Sequence, residues 1–236
     1  MNSQKAIALL SGGLDSVVSM GMALDLYEVK RSLYFDYGQR AALKEEQAAK
    51  KISDYYKIPC QTIKLDWLAD ITSTSLVNKD CDLPEYTLEQ LDSDTDYQLK
   101  SAKAVWVPNR NGVMLNIAAS IAESLGCRYV VFGANAEEAT TFPDNTKEYA
   151  DKLSNAFAYS TNNRVEVSVP LNDLTKTEIV SCALNLKVPL ELVWSCYLGG
   201  EKHCGKCESC VRLKRALLSN NQSELWKDIS AYENSL

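Results

Sequence analysis

The string Ser11-Gly12-Gly13-Leu14-Asp15-Ser16 constrains this chain more than any other stretch. It follows the apolar residues 6–10, which read as a buried parallel strand. It precedes Val17-Val18-Ser19-Met20-Gly21-Met22-Ala23-Leu24, which reads as a helix. A strand, a Gly-Gly turn carrying hydroxyls, and then a helix N-terminus make a phosphate-binding arrangement. The glycines let the backbone approach the anion, and the first-turn N–H groups and the helix dipole face it. Asp15 sits poorly beside a bare phosphate, so it reads as a Mg²⁺ ligand or a capping carboxylate. A Gly-Gly turn before a helix also serves merely to reverse the chain, with Asp15 or Ser16 as a cap. Other nucleotide motifs are missing. No G-x-G-x-x-G follows a strand, and the near-match Gly200-Glu201-Lys202-His203-Cys204-Gly205-Lys206 runs into Cys207 instead of Ser or Thr.

Strand and helix patterns alternate from this start. Strands are expected at 5–10, 32–35, 61–65, 129–133 and 165–169, and helices at 15–26, 41–57 and 112–125, the last capped by Gly126. The repetition predicts an α/β, Rossmann-like architecture: a mostly parallel five-stranded sheet with helices on both faces. Residues 1–190 form the expected α/β domain, and 191–236 a C-terminal cysteine-bearing helical segment packed on it. The acidic stretch 72–103 breaks the rhythm and reads as a solvated loop with a weak helix; an active-site lid is the sharper alternative. At 236 residues with 46% hydrophobic content, the chain builds a large core. Its net charge of −6 argues against binding nucleic acid by general electrostatics. No run approaches a membrane span, and the N-terminus leads straight into a strand, so a cytoplasmic protein is expected. Oligomeric state stays open, a homodimer among the options.

Ligands of such sheets bind beyond the carboxyl ends of the strands, where the informative turns of this chain fall. Asp36, Tyr37 and Gln39 follow the second strand. Asn109, Arg110 and Asn111 precede a helix. Asn135, Phe142 and Asp144 follow the fourth strand, and Lys176 the fifth. Thr175-x-x-Glu178 is a capping box, which explains the threonine locally but not Lys176; a solvated lysine and a phosphate contact are both open for it. The chain has one histidine, so its chemistry must rest on positioning and charge neutralisation more than on imidazole acid–base work.

Four of the eight cysteines cluster: Cys196, Cys204, Cys207 and Cys210. Four thiolates suit a closed, structural, tetrahedral Zn²⁺ site. A redox C-x-x-C uses one pair only, whereas an iron–sulfur cluster also takes four and remains a competitor. His203 adjoins Cys204, but the four sulfurs already fill the site. Cys60, Cys81, Cys127 and Cys182 sit singly and read as packing residues.

The opening string resembles the pyrophosphate loop of the N-type ATP pyrophosphatases, which adenylate an acceptor oxygen and release pyrophosphate. Taken in order, S-G-G-L-D-S, F-D-Y-G-Q-R, V-P-N-R-N, L-T-K-T-E-I-V and W-S-C-Y-x-G-G-E-K-H-C-G-K-C-E-S-C resemble the 7-cyano-7-deazaguanine synthases of the queuosine pathway, across roughly residues 5–215. The resemblance implies ATP with Mg²⁺, ammonia and 7-carboxy-7-deazaguanine as partners. It implies an adenylated carboxylate, an amide, and dehydration to a nitrile. It places ATP on Leu10, Ser11, Gly12, Gly13, Leu14, Asp15, Ser16, Val17, Val18, Ser19 and Met20, and zinc on the four clustered cysteines. Asp15, Ser16, Lys176 and Arg110 are the expected catalytic groups. Against the flat base that the resemblance implies, Tyr37 and Phe142 suit stacking, Asn109, Asn111 and Asp144 suit reading its edge, and Arg110 suits its carboxylate, the plain alternative being an Arg110 paired with an acidic neighbour and a core Tyr37. Two segments depart from the family's pattern: Pro108-Asn109-Arg110-Asn111, where P-G-R-N is usual, and Phe142-Pro143-Asp144-Asn145, where Y-P-D-C is usual. A ligase of the same superfamily acting on a tRNA base or a protein terminus, and a zinc-bearing nucleotide sensor without catalysis, are the competing readings.

Overall fold

The computed structural model describes residues 4–93 and 102–231. Five parallel strands form one sheet in the order β3-β2-β1-β4-β5: β1 is Lys5–Leu9, β2 Glu28–Asp36, β3 Cys60–Lys64, β4 Tyr129–Val131 and β5 Glu166–Ser168. The order moves outward from β1 in one direction and then, after β3, in the other. Right-handed crossovers therefore place the first helices on one face and the later ones on the other. Helices α1 (Leu14–Leu26) and α2 (Ala42–Tyr55) cover the first face; α3 (Arg110–Ser124) and α4 (Lys147–Ser160) cover the second. Alternate strand residues divide accordingly. Ala6, Ala8, Leu10 and Tyr34 join the α1/α2 cluster, while Ile7, Leu9, Leu33 and Phe35 join the α3/α4 cluster.

Three further helices, α5 (Lys176–Asn185), α6 (Glu208–Ser219) and α7 (Ser223–Ile229), complete the first face. Ile179, Leu213, Leu217 and Trp226 lie in the same buried cluster as Val17 and Met20 of α1. All four clustered cysteines border or belong to that cluster. Gly126 takes a φ of +63° just after α3, as expected of a glycine that ends a helix.

Several boundaries differ from the sequence expectation for identifiable reasons. Strand β2 begins four residues early, because Glu28 and Val29 pair with Lys5 and Ala6 of β1 despite their polar flanks. Helix α4 was not foreseen: of its fourteen residues only Ala150 and Phe157 are buried, so its apolar stripe is thin. The acidic stretch is not simply solvated. Ser75, Leu76, Tyr86 and Leu91 are buried, the Ser75 N–H donates to the Ala104 carbonyl (2.9 Å), and the Tyr86 N–H donates to the Lys206 carbonyl (2.8 Å). Residues 94–101 of that stretch lie outside the described residues. No described helix is long and apolar enough to cross a membrane.

Candidate active site

The strand order reverses between β1 and β4, and the loops leaving these strands open a cavity of about 270 Å³. On one side lies the loop between β1 and α1. Gly12 has a φ of +83°, and a Cβ there would stand 2.8 Å from the Ala48 Cβ and 2.9 Å from the Glu45 carbonyl oxygen. Only glycine permits this conformation and this approach of α2. Ser11 and Ser16 hydroxyls meet at 3.1 Å, and the Ser16 hydroxyl donates to the Gly13 carbonyl at 2.9 Å. No side chain caps α1, so its first N–H groups stay available to an anion. Gly133, at the end of β4, lies so close that a Cβ would come 2.9 Å from the Ser16 nitrogen.

Behind the loop sits a buried charge cluster. The Lys176 ammonium donates to Asp15 and, at 2.7 Å, to Glu138. Burial disfavours the lysine charge, but the two carboxylates outweigh it and hold the group above its ordinary value. Burial raises the Asp15 carboxyl to about 6 against the pull of Lys176, with Glu138 adding repulsion. Asp15 Oδ1 is buried and without a protein partner, as suits a carboxylate oxygen reserved for a cation such as Mg²⁺. Glu137 accepts from the Lys176 backbone N–H (2.8 Å) and pairs with Arg212 (2.9 Å) and Arg215 (2.7 Å), so α6 is tied to the same corner. Arg212 also pairs with Glu208 at 2.9 Å.

The other wall carries Arg110. Its guanidinium donates to the Tyr37 hydroxyl (3.1 Å) and lies 5.5 Å from the centre of that ring. Burial raises the Asp144 carboxyl above its usual range, opposed by Arg110, while Asn111 and Asn145 amides donate to it. Trp106 and Phe142 rings face each other at 6.1 Å and 11° across the mouth.

The cavity therefore brings together Leu10, Ser11, Gly13, Leu14, Asp15, Ser16, Tyr37, Gln39, Arg110, Asn111, Phe142, Asp144 and Lys176. Other expected site residues stand off its walls. Val17, Val18 and Met20 are core residues of α1, and Ser19 is buried beside them. Asp36 accepts from the Gly38 N–H (3.1 Å), and Asn135 caps the turn Ala136–Ala139 by accepting from the Glu138 N–H (3.0 Å). Asn109 is exposed, with a φ of 48°, and its side chain leans over Gly112. Glu45, Trp106, Glu138, Trp194, Tyr197, Glu208 and Arg212 line the cavity and were not read from sequence. Glu138 lies 38 residues from its partner Lys176, so no local spacing announces the pair.

The four clustered cysteine sulfurs lie within 4.8 Å of one another. A tetrahedral ion with 2.3 Å bonds to sulfur spaces its ligands about 3.8 Å apart, and the Sγ atoms of Cys204 and Cys210 are 3.8 Å apart. Backbone N–H groups of Leu198 and Cys204 donate to the Cys196 sulfur, and those of Lys206 and Cys207 to the Cys204 sulfur, at 3.3–3.4 Å. The set fits one metal ion. His203 stands outside it: Nε2 accepts from the Ser195 N–H (3.0 Å), and the ring is wedged between Trp194 and Trp226. The Trp194 N–H donates to the Gly12 carbonyl at 2.8 Å, so the cysteine segment braces the anion loop.

Relatives match this chain over most of its length. The family model described as queuosine biosynthesis protein QueC matches residues 5–221. The 7-cyano-7-deazaguanine synthase of Methanosarcina mazei is 54% identical over 214 residues, covering 90% of this chain and 93% of that one. That of Carboxydothermus hydrogenoformans is 49% identical, covering 90% and 98%. Among solved structures, the U34-tRNA thiolase NcsA of Methanococcus maripaludis with its [4Fe-4S] cluster superposes with a TM-score of 0.51 at 18% identity, covering 97% of this chain and 71% of that one. This last likeness is one of fold. On the sequence matches, the chain belongs to the QueC family of queuosine biosynthesis proteins.

Proposed function

We propose that the chain converts 7-carboxy-7-deazaguanine, ammonia and ATP into 7-cyano-7-deazaguanine. One observation carries the reading beyond family membership. The anion loop at residues 11–16 and the Arg110 guanidinium line one cavity, so a nucleotide phosphate and a substrate carboxylate meet there. The α1 N-terminus faces the phosphates, and Lys176 fixes Asp15 beside them. Arg110 holds the carboxylate in a fork that aims one oxygen at the α-phosphorus. The new P–O bond forms as the bond to pyrophosphate breaks. Ammonia then attacks the acyl carbon, AMP leaves, and an amide results. A second adenylation of the amide oxygen, followed by loss of AMP and of the remaining N–H protons, gives the nitrile. Asp15, with its open oxygen, would hold Mg²⁺, which supplies charge neutralisation at the phosphates. Trp106 and Phe142 flank the mouth as stacking surfaces for the flat base.

The close sulfur spacing favours Zn²⁺ over a cluster that would spread its cysteines over several irons, and the closed ligand set makes the site structural. Free thiolate ligands also call for a reducing compartment, the cytoplasm. Incubation with ATP, ammonium and 7-carboxy-7-deazaguanine should yield the nitrile by mass spectrometry. With ¹⁸O in the carboxylate, label should appear in AMP. Products limited to ADP and phosphate would overturn the adenylation route. Elemental analysis should give one zinc per chain.

A further inference from the structure

Amide formation from ammonium requires a proton acceptor, and the single histidine is sequestered between two tryptophans away from the cavity. The cavity carboxylates are unequal in this respect. Asp15 and Glu138 are committed to Lys176, and Glu208 to Arg212. Asp144 already accepts from two asparagine amides. Glu45 differs. It lines the cavity from the first turn of α2, and its Oε2 accepts one hydrogen bond, from Gln39 at 2.7 Å. Among the described residues no lysine or arginine forms an ion pair with it. Its neighbours bear on both halves of the reaction. Its own carbonyl packs against Gly12 of the anion loop, and Arg110, which the proposed function assigns to the substrate carboxylate, lies within electrostatic reach.

Resting on that function, we infer that Glu45 is the general base that binds ammonium beside the acyl adenylate and takes its proton. The balance is simple. NH₄⁺ gives one proton to the Glu45 carboxylate. The freed ammonia forms a C–N bond as the C–O bond to AMP breaks. The resulting C–NH₃⁺ loses a second proton to water, and Glu45 then returns its own to solvent. The charged and titratable groups facing Glu45 are Arg110 from α3, Asp36 from the end of β2, and the Tyr34 and Tyr37 hydroxyls. Burial raises the carboxyl to about 7, while Gln39 and Arg110 pull it down, so it exchanges a proton near neutrality.

The test separates the steps by nucleophile. Carboxylate-dependent ATP–pyrophosphate exchange reads adenylation without ammonia. In Glu45→Gln this exchange should stay within about threefold of wild type, whereas amide formation from ammonium should fall about a hundredfold. Hydroxylamine, unprotonated at neutral pH, needs no base, so hydroxamate formation should be nearly unchanged. Raising the pH, which supplies free ammonia, should restore amide formation in the variant. Glu45→Asp should keep a part of the ammonium rate. Equal losses with both nucleophiles, a raised KM for ATP in the exchange, or undiminished amide formation would overturn the inference while leaving the proposed function standing. No carboxylate-dependent exchange in the wild-type protein would overturn both.

Discussion

At the scale of single residues, two predictions follow from the charges around the cavity. Arg110 has the planar fork that matches a carboxylate, and Lys in its place keeps the charge without the fork. Arg110→Lys should weaken 7-carboxy-7-deazaguanine binding by about one to two orders of magnitude, in line with a charged hydrogen-bond pair. ATP affinity should change less than about twofold. Calorimetry with each ligand checks this, and equal losses for both would remove Arg110 from the substrate side. Glu45 gives a pH dependence of stability. In the folded chain its carboxyl holds its proton up to about 7, whereas the ordinary value is 4.5. Folding therefore takes up a proton between these values. The contribution is fully present below pH 4.5 and is lost as pH rises towards 7. The change is roughly 1–3 kcal/mol. Urea denaturation at pH 5 and pH 8 should show a smaller difference in Glu45→Gln than in wild type. These residues also mark what sequence reasoning missed. Asp15 and Lys176 stood out because each sits at a strand's carboxyl end, but Glu45 and Glu138 lie inside helical turns whose spacing looks ordinary.

At the scale of elements, the cysteine segment is a brace as well as a set of four sulfurs that fits one metal ion. The Trp194 N–H bond to Gly12 and the approach of Gly199 to the Arg40 carbonyl, where a Cβ would stand at 2.8 Å, fasten it to the loops after β1 and β2. Removing the buried Cys210 should therefore act beyond the proposed zinc. Cys210→Ser should lower bound zinc well below one per chain, expose residues 194–210 to limited proteolysis, and weaken ATP by about tenfold, since metal binding here is folding free energy. Lost zinc with unaltered ATP affinity would show that the brace is dispensable. Elements were legible in proportion to how fully they are buried. Strand β1 and helix α1 are mostly buried, and their bounds were nearly met. Helix α4, with two buried residues, escaped notice, and β4 and β5 shrink to three residues each because only Tyr129–Val131 and Glu166–Ser168 pair. The sequence carries no signal for strand order. That order follows from crossover handedness once the helices are assigned to faces.

At the scale of the whole molecule, a net charge of −6 opposes a phosphate backbone. A gel-shift assay with unfractionated tRNA at physiological salt should show no stable complex, because counterion release needs a basic face that this composition does not provide. A salt-resistant complex would move the reading towards an RNA-modifying ligase. The same scale sets when the site becomes whole. The anion loop is encoded within the first sixteen residues, yet the backbone group that braces it belongs to residue 194, and the sulfurs behind it end at residue 210. The phosphate cradle thus leaves the ribosome well before the contact that secures it. A nascent chain carries an unfinished nucleotide pocket until residue 194 has emerged, and competence to bind ATP arrives with the closing of a contact between residues 182 positions apart.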